Sequence, residues 1–201
     1  MKIFGHPMST CTRKVLMTLA ETNTAHDFVL VDFAKGEHKQ PPHLARQPFG
    51  QVPALQDDDF ELYESRAMCR YINDKVGGPL VPRELRDRAR MEQWISVETS
   101  NFTAPVMKFV FHHIFKREQT PEALATAATQ TDATLAILER QLAAQPFIAG
   151  GSFTLADICF MPYIEYAMNT PAKDHFANHP HVIAWWSKIS ERPTWRKVAG
   201  R

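Results

Sequence analysis

Pro48-Phe49-Gly50-Gln51-Val52-Pro53-Ala54-Leu55, followed a few residues on by Tyr63-Glu64-Ser65-Arg66, is the stretch from which the architecture is read. It has the form of a turn, a short strand, a tight hairpin and the first residue of a helix. A proline directly ahead of a strand has no N–H for the ladder, and in a tight turn it suits a cis peptide bond. Val52 then presents its own N–H and C=O sideways, as an edge that an extended peptide can join. Ser65 follows the strand pattern Phe60-Glu61-Leu62-Tyr63 and precedes the periodic run Ala67, Met68, Tyr71, Ile72, so it is expected to be a helix N-cap. A helix N-terminus favours an anion through its free N–H groups and its dipole. A peptide edge beside a carboxylate cradle suits a small acidic peptide.

Upstream, Lys2-Ile3-Phe4-Gly5 reads as a strand and His6 to Cys11 as a loop. A helix is expected from Thr12, with Val15, Leu16, Leu19 and Ala20 on its inner face. Phe28-Val29-Leu30-Val31 is mostly apolar and is expected to be a central strand. The two strands and the helix between them form a βαβ unit with a right-handed crossover. Residues 34–47 are polar and carry Gly36, Pro41 and Pro42, the composition of an exposed loop with at most one helical turn. Ala54 to Gln56, the turn Asp57-Asp58-Asp59 and Phe60 to Tyr63 then make an antiparallel hairpin, and the helix from Ser65 closes this half. The order βαβ then ββα is that of a thioredoxin-like domain with a mixed sheet, assigned to residues 1–76.

Gly77-Gly78-Pro79-Leu80-Val81-Pro82 is the clearest break, and residues 77–85 are taken as a linker. From 86 to 201 no strand pattern occurs, so an all-helical bundle is expected. Pro105 is expected to kink or break the helical run from Arg83 to Lys116. Between Pro121 and Ala144, the residues Leu124, Ala128, Thr131, Leu135, Leu138 and Leu142 form one apolar stripe. Phe153-Thr154-Leu155-Ala156-Asp157-Ile158 carries a capping box, Thr154 with Asp157, which explains Asp157 as a structural acid worth about 1–2 kcal/mol rather than a catalytic one. Pro180 to Glu191 is a further helix, stopped by Pro193.

Composition removes whole classes of function. Twenty-three basic and 22 acidic residues, spread along the chain, make no field for nucleic acid or an anionic membrane. The longest mainly apolar stretch, near Val106 to Phe115, holds Lys108 and two histidines, so no membrane partner is expected. The three cysteines, Cys11, Cys69 and Cys159, form no CxxC pair, and no disulfide framework is expected. A cytoplasmic location is the default. The pair His112-His113 and the set His175, His179 and His181 lack companion ligands, so no metal site is expected.

Ser9 lies between the first strand and the first helix, where thioredoxin-like domains place a reactive sulfur, because a helix N-terminus stabilises a thiolate. Here that position is a hydroxyl and Cys11 follows two residues later, so the reactive sulfur is read as belonging to the ligand. Cys11 is read as a small residue at the pocket edge, with a nucleophilic role as the alternative.

At these residues the chain resembles the cytosolic glutathione transferases, and among them the phi class. The resemblance rests on Phe4-Gly5-His6-Pro7-Met8-Ser9-Thr10, Gly36-Glu37-His38-Lys39 and Arg46-Gln47-Pro48-Phe49-Gly50-Gln51-Val52-Pro53-Ala54. It continues in Tyr63-Glu64-Ser65-Arg66-Ala67, Phe153-Thr154-Leu155-Ala156-Asp157 and Pro180-His181-Val182 with Ala184-Trp185-Trp186. Gln47 stands where the family usually has Asn, and Lys14 where Arg is common. The resemblance implies that Ser9 stabilises the glutathione thiolate and that His38 and Lys39 lie near the glycine carboxylate. Gln51, Val52 and a cis Pro53 would bind the cysteinyl backbone, and Glu64 and Ser65 the γ-glutamyl end. Thr10, Cys11, Phe33, Phe111 and Phe115 are the candidates for an apolar electrophile, although aromatics at helical spacing, as at Phe111 and Phe115, are also ordinary core. The implied activity is a detoxifying conjugation of glutathione, as co-substrate, to small apolar electrophiles by a homodimer, with Phe49 and Arg66 at its interface. A glutathione-dependent peroxidase and a non-catalytic carrier of apolar ligands are the alternatives.

Overall fold

The computed structural model describes residues 1–201 and divides into two compact units, Met1–Val81 with Pro193–Arg201, and Pro82–Arg192. The first unit runs β1 (Lys2–Gly5), α1 (Thr10–Glu21), β2 (Asp27–Leu30), a 3₁₀ turn (Glu37–Lys39), α2 (Pro41–Leu44), β3 (Ala54–Asp57), β4 (Phe60–Tyr63) and α3 (Ser65–Lys75). The sheet order is β2-β1-β3-β4, with β1 parallel to β2 and the other pairs antiparallel. This is the mixed sheet of a thioredoxin-like domain.

The expectation of a central β2 fails. Hydrogen bonding places β2 at the sheet edge, and Leu30 is 53% exposed. Four apolar residues carry no information about which neighbours they acquire. The centre is β1 and β3, whose paired Ile3 and Leu55 are fully buried.

The inner face of α1 is Thr12, Lys14, Val15, Met17, Thr18 and Leu19, while Leu16 and Ala20 are half-buried. This face is wider than one apolar stripe because α1 packs against both α3 and a C-terminal helix, α10 (Pro193–Ala199). A Cβ on Gly5 would stand 2.7 Å from the Thr12 side chain, so β1 and α1 approach as closely as they do only over glycine.

Residues 193–201, expected in the helical domain, therefore belong to the first unit. Pro193 does follow the end of the preceding helix. It also opens α10, since a proline at the first helical position forgoes an N–H that would have no partner there. Trp195 is fully buried, and Thr194 Oγ1 donates to Glu21 Oε1 of α1. Leu80 and Val81 of the expected linker are also buried, and Leu80 N–H donates to Asn73 Oδ1 at 2.9 Å.

The second unit is helical: α4 (Leu85–Val97), a π turn (Glu98–Phe102), α5 (Thr103–His113), α6 (Pro121–Ala144), α7 (Leu155–Ala167), α8 (Lys173–Ala177) and α9 (Pro180–Ser190). The break expected at Pro105 falls just ahead of it, in the π turn. Pro105 has no N–H to return toward Asn101, and the Asn101 carbonyl accepts from Thr134 Oγ1 of α6 at 3.2 Å. The buried stripe of α6 is Ala127, Thr131, Thr134, Leu135, Leu138 and Leu142, close to the expected face.

Every residue of α7 except Glu165 is buried, and its capping box forms as read. Asp157 does more than cap. Its carboxylate accepts from Thr154 N–H (2.9 Å), Ile148 N–H (3.1 Å) and Trp185 Nε1 (2.9 Å). Burial pushes the Asp157 carboxyl above the ordinary carboxylate range, against the opposing pull of these donors. Asp157→Ala would orphan several buried donors at once, so we expect a loss of about 3–4 kcal/mol, beyond the 1–2 of a cap alone. Chemical denaturation checks this, with Trp185→Phe losing only about 1 kcal/mol because one donor goes with its acceptor intact.

Candidate active site

Strand register gathers the site. Gly5 pairs with Leu30, Phe4 with Ala54, and Ala54 with Tyr63. The chain thus leaves β1, β2 and β4, and enters β3, at one end of the sheet. The segments emerging there carry Ser9, Thr10 and Cys11, then Phe33, His38 and Lys39, then Gln51, Val52 and Pro53, then Glu64 and Ser65. All belong to the first unit.

Ser9, in extended backbone (φ −75°, ψ 125°), is the N-cap of α1, and its Oγ accepts the Thr12 N–H at 3.2 Å. The helix therefore starts at Thr10, two residues earlier than expected, and Thr10 and Cys11 are its first two residues. Ser9 N–H donates to His6 O at 2.9 Å, and Arg13 Nε donates to Pro7 O at 2.8 Å. Ser9 Oγ receives one hydrogen and keeps its own available to donate outward.

The turn ahead of β3 is held by polar contacts from within. Gln51 N–H donates to Gln47 Oε1 at 3.0 Å, and Gln51 O accepts from His43 Nε2 at 2.6 Å. Gln47 and His43 are both buried. Gly50 sits at φ +60°, and a Cβ there would stand 2.7 Å from the Lys39 side chain. Lys39 Nζ donates to Phe49 O at 3.0 Å. The Val52–Pro53 peptide is cis, and the Val52 N–H and C=O have no partner within the chain.

Ser65, expected as the N-cap of α3, is instead its first residue and is buried. The cap is Glu64, at φ 71° and ψ 103°, with no side-chain hydrogen bond closing the helix end. The reason is the missing spacer: β4 ends at Tyr63, so Glu64 must make the whole turn. By contrast α1, α4, α6 and α7 are each capped by a side chain. The far end of α3 is tied to the hairpin, where Lys75 Nζ and Tyr71 OH (2.5 Å) both donate to Asp57 Oδ2.

The 3₁₀ turn bears His38, whose Nδ1 is buried without a hydrogen-bond partner. Its ring meets the edge of Phe33 (4.9 Å, 73°), and Phe33 stacks on His6 (4.5 Å, 10°). Phe111 and Phe115 lie in the second unit, where their rings are 6.2 Å apart, with Phe115 against Tyr166 and Arg117 over Phe111. Cys69 is buried, and burial pushes its thiol up to about 11, outside nucleophilic range. No group of three or more His, Cys, Asp or Glu could hold a metal ion, and no helix is long and apolar enough to cross a membrane.

Sequence reading missed His6, His43 and Gln47. His6 and Gln47 lie inside quoted motifs. The signal for His43 was available in principle, as a histidine in a loop that must satisfy a tight turn, but its target is eight residues away.

Against known proteins, residues 1–74 match the family model "Glutathione S-transferase, N-terminal domain" and residues 102–193 match "Glutathione S-transferase, C-terminal domain". Glutathione S-transferase F7 of Arabidopsis thaliana is 38% identical over 205 residues, covering 98% of each chain. The crystal structure of glutathione transferase F7 from Populus trichocarpa superimposes with a TM-score of 0.93 at 39% identity, over 99% of this chain and 97% of that one. Glutathione S-transferase I from mais, solved in complex with an atrazine glutathione conjugate, gives 0.90 at 34% identity, over 99% and 96%. The chain belongs to the glutathione S-transferase family. Curated relatives at 38% identity, glutathione S-transferases F7 and F6 of Arabidopsis thaliana, are phi-class (F-type) enzymes, and this chain is a glutathione transferase of that class.

The tie beneath the site has a pH signature. The hydrogen bond from Lys75, then that from Tyr71, holds the Asp57 carboxyl below its ordinary value. A depressed folded-state value means that the tie stabilises the fold above about pH 4 and is lost as pH falls through that lower value. Asp57→Asn is expected to flatten the acid-side fall of melting temperature relative to the parent chain, measured by thermal denaturation in steps below pH 6.

Proposed function

We propose that the chain conjugates the thiolate of glutathione to small apolar electrophiles, with Ser9 as the donor that stabilises the thiolate. The observation carrying this reading is the Ser9 hydroxyl. It caps α1 through the Thr12 N–H at 3.2 Å, which leaves its own hydrogen to be donated at a helix N-terminus. Lowering a thiol pKa by about two units corresponds to about 2.7 kcal/mol of preferential anion binding. A hydrogen bond to a charged acceptor contributes about 1.5–3 kcal/mol and a helix terminus about 0.3–1, so the two suffice.

Glutathione carries two carboxylates and one ammonium, and the polar groups suit that pattern. Val52 N–H and C=O, unpaired in the chain, take the cysteinyl backbone as an added strand, beside Gln51 and cis Pro53. The α3 N-terminus at Ser65, uncapped by a side chain, takes the γ-glutamyl carboxylate, and the exposed Glu64 its ammonium. His38 and Lys39 face the glycine carboxylate. Thr10, Cys11 and Phe33 are the contacts this unit offers an electrophile. A relative solved with an atrazine glutathione conjugate supports a small apolar second substrate. Attack on an electrophilic carbon joins sulfur to that carbon and expels the leaving group. The protein supplies proximity and the anion's stabilisation. The chain acts as a homodimer, for which Phe49, 63% exposed, and Arg66 are the interface candidates.

Ser9→Ala is expected to lower kcat/KM for an aryl halide about 10- to 100-fold with little change in glutathione KM, and to raise the pKa of bound thiol. Should Cys11→Ser abolish conjugation while Ser9→Ala spares it, the assignment is wrong. A hydroperoxide turned over faster than the aryl halide would favour the peroxidase reading. For the dimer, sedimentation at micromolar concentration should give twice the chain mass, and Phe49→Ala should shift it toward the monomer; a monomeric parent chain overturns that part.

A further inference from the structure

We infer that His6 is a positioning residue that locks the Ser9 turn through its ring nitrogen and, through Phe33, joins that turn to the His38–Lys39 segment; this inference rests on the reading of Ser9 above. His6 holds the turn at three points. Its N–H reaches Thr12 Oγ1 at 3.4 Å, its carbonyl accepts Ser9 N–H at 2.9 Å, and its Nδ1 accepts Met8 N–H at 3.2 Å. The N–H of the cap and that of the residue before it are therefore both bound by one residue. Because Nδ1 accepts, a neutral ring carries its proton on Nε2. Thr12, reached by the His6 N–H, is the same residue whose N–H fixes Ser9 Oγ. The position of Ser9 Oγ is thus held by a closed circuit, His6 to Ser9 to Thr12 and back, which His6 enters through its backbone, while its side chain adds the hold on the Met8 N–H.

The ring face does a second job. It lies flat on Phe33 at 4.5 Å and 10°, and the other neighbour of Phe33 is the His38 ring at 4.9 Å. Phe33 is 41% exposed, and its two ring neighbours come from the segments that the functional reading assigns to the sulfur and to the glycine carboxylate of glutathione. Arg13 faces the His6 turn from α1, with its Nε on Pro7 O at 2.8 Å. The acceptor nitrogen and the stacked face are separable by substitution. Asn places an oxygen on Cγ where His has Nδ1 and lacks the ring; Phe keeps a ring and lacks the acceptor.

The experiment compares His6→Phe, His6→Asn and Ser9→Ala by steady-state kinetics, melting temperature and titration of bound glutathione thiolate absorbance near about 240 nm. His6→Phe is expected to lower kcat about tenfold and raise the bound thiol pKa, with glutathione KM within about twofold. His6→Asn is expected to recover kcat to within about twofold of the parent and to raise glutathione KM about three- to fivefold, as the His38–Lys39 segment loses its anchor. Unchanged kcat and thiol titration in His6→Phe overturn the proposal. So do equal losses in both variants that track equal drops in melting temperature. If His6→Phe does not fold, an unchanged KM in His6→Asn overturns it. Ser9→Ala with an unaltered thiol titration would instead sink the reading of Ser9, leaving the KM effect to be judged separately.

Discussion

The pairing of Phe4 with Ala54, and of Ala54 with Tyr63, is the constraint on which the site depends. It places the exits of three strands and the entrance of a fourth in one row. Side chains alternate along a strand, so a slip of one residue would turn Leu55 out of the core that it shares with Ile3. The register is therefore strongly set by burial. Pro53 marks where the ladder stops, since it has no N–H to extend it. The core and the gathering of polar residues at the sheet end thus have a single cause.

Rigidity at that end comes from short polar contacts in place of apolar packing. His43, Gln47, Lys39 and Gly50 hold the turn ahead of β3 from within, leaving Val52 as the segment with spare hydrogen-bonding capacity. The α3 N-terminus is similarly left open while its other end is fastened through Asp57. The groups that the proposed function assigns to a ligand are left unsatisfied by the protein, while their neighbours are held by several contacts each. That is the arrangement expected of a preorganised binding site.

Much of this was legible in the residues. The strand and hairpin signals, the capping box at Thr154 and Asp157, the cis Val52–Pro53 bond and the helical second unit all follow from local rules, and the structure has them. What was not legible is non-local. The placement of β2 depends on which strand takes the far side of β1, which four apolar residues do not encode. Pro193 was read as a stop when it also starts α10, because a proline ends one helix and suits the first position of another equally well. Asp157 was read as a cap because its local partners were visible, while Trp185, 28 residues away, was not. The Ser65 N–H end of α3 was recognised, but the capping position moved to Glu64 because strand and helix abut. The roles of His6, His43 and Gln47 depend on side chains reaching backbone across turns, a relation that spacing alone does not reveal.

The exposed β2 carries a further implication for behaviour in a crowded solution. An outermost strand bearing Phe28, Val29 and Leu30 offers unpaired backbone on its free side, the kind of surface on which chains stack into aggregates. This strand is only four residues long and is bracketed by Asp27 and Asp32, the latter held ionised below its usual range chiefly by the Lys35 N–H. A second copy laid antiparallel against it would bring like charges together at both ends. Two small acidic residues thus serve as gatekeepers for a ribbon that its own sheet leaves unguarded.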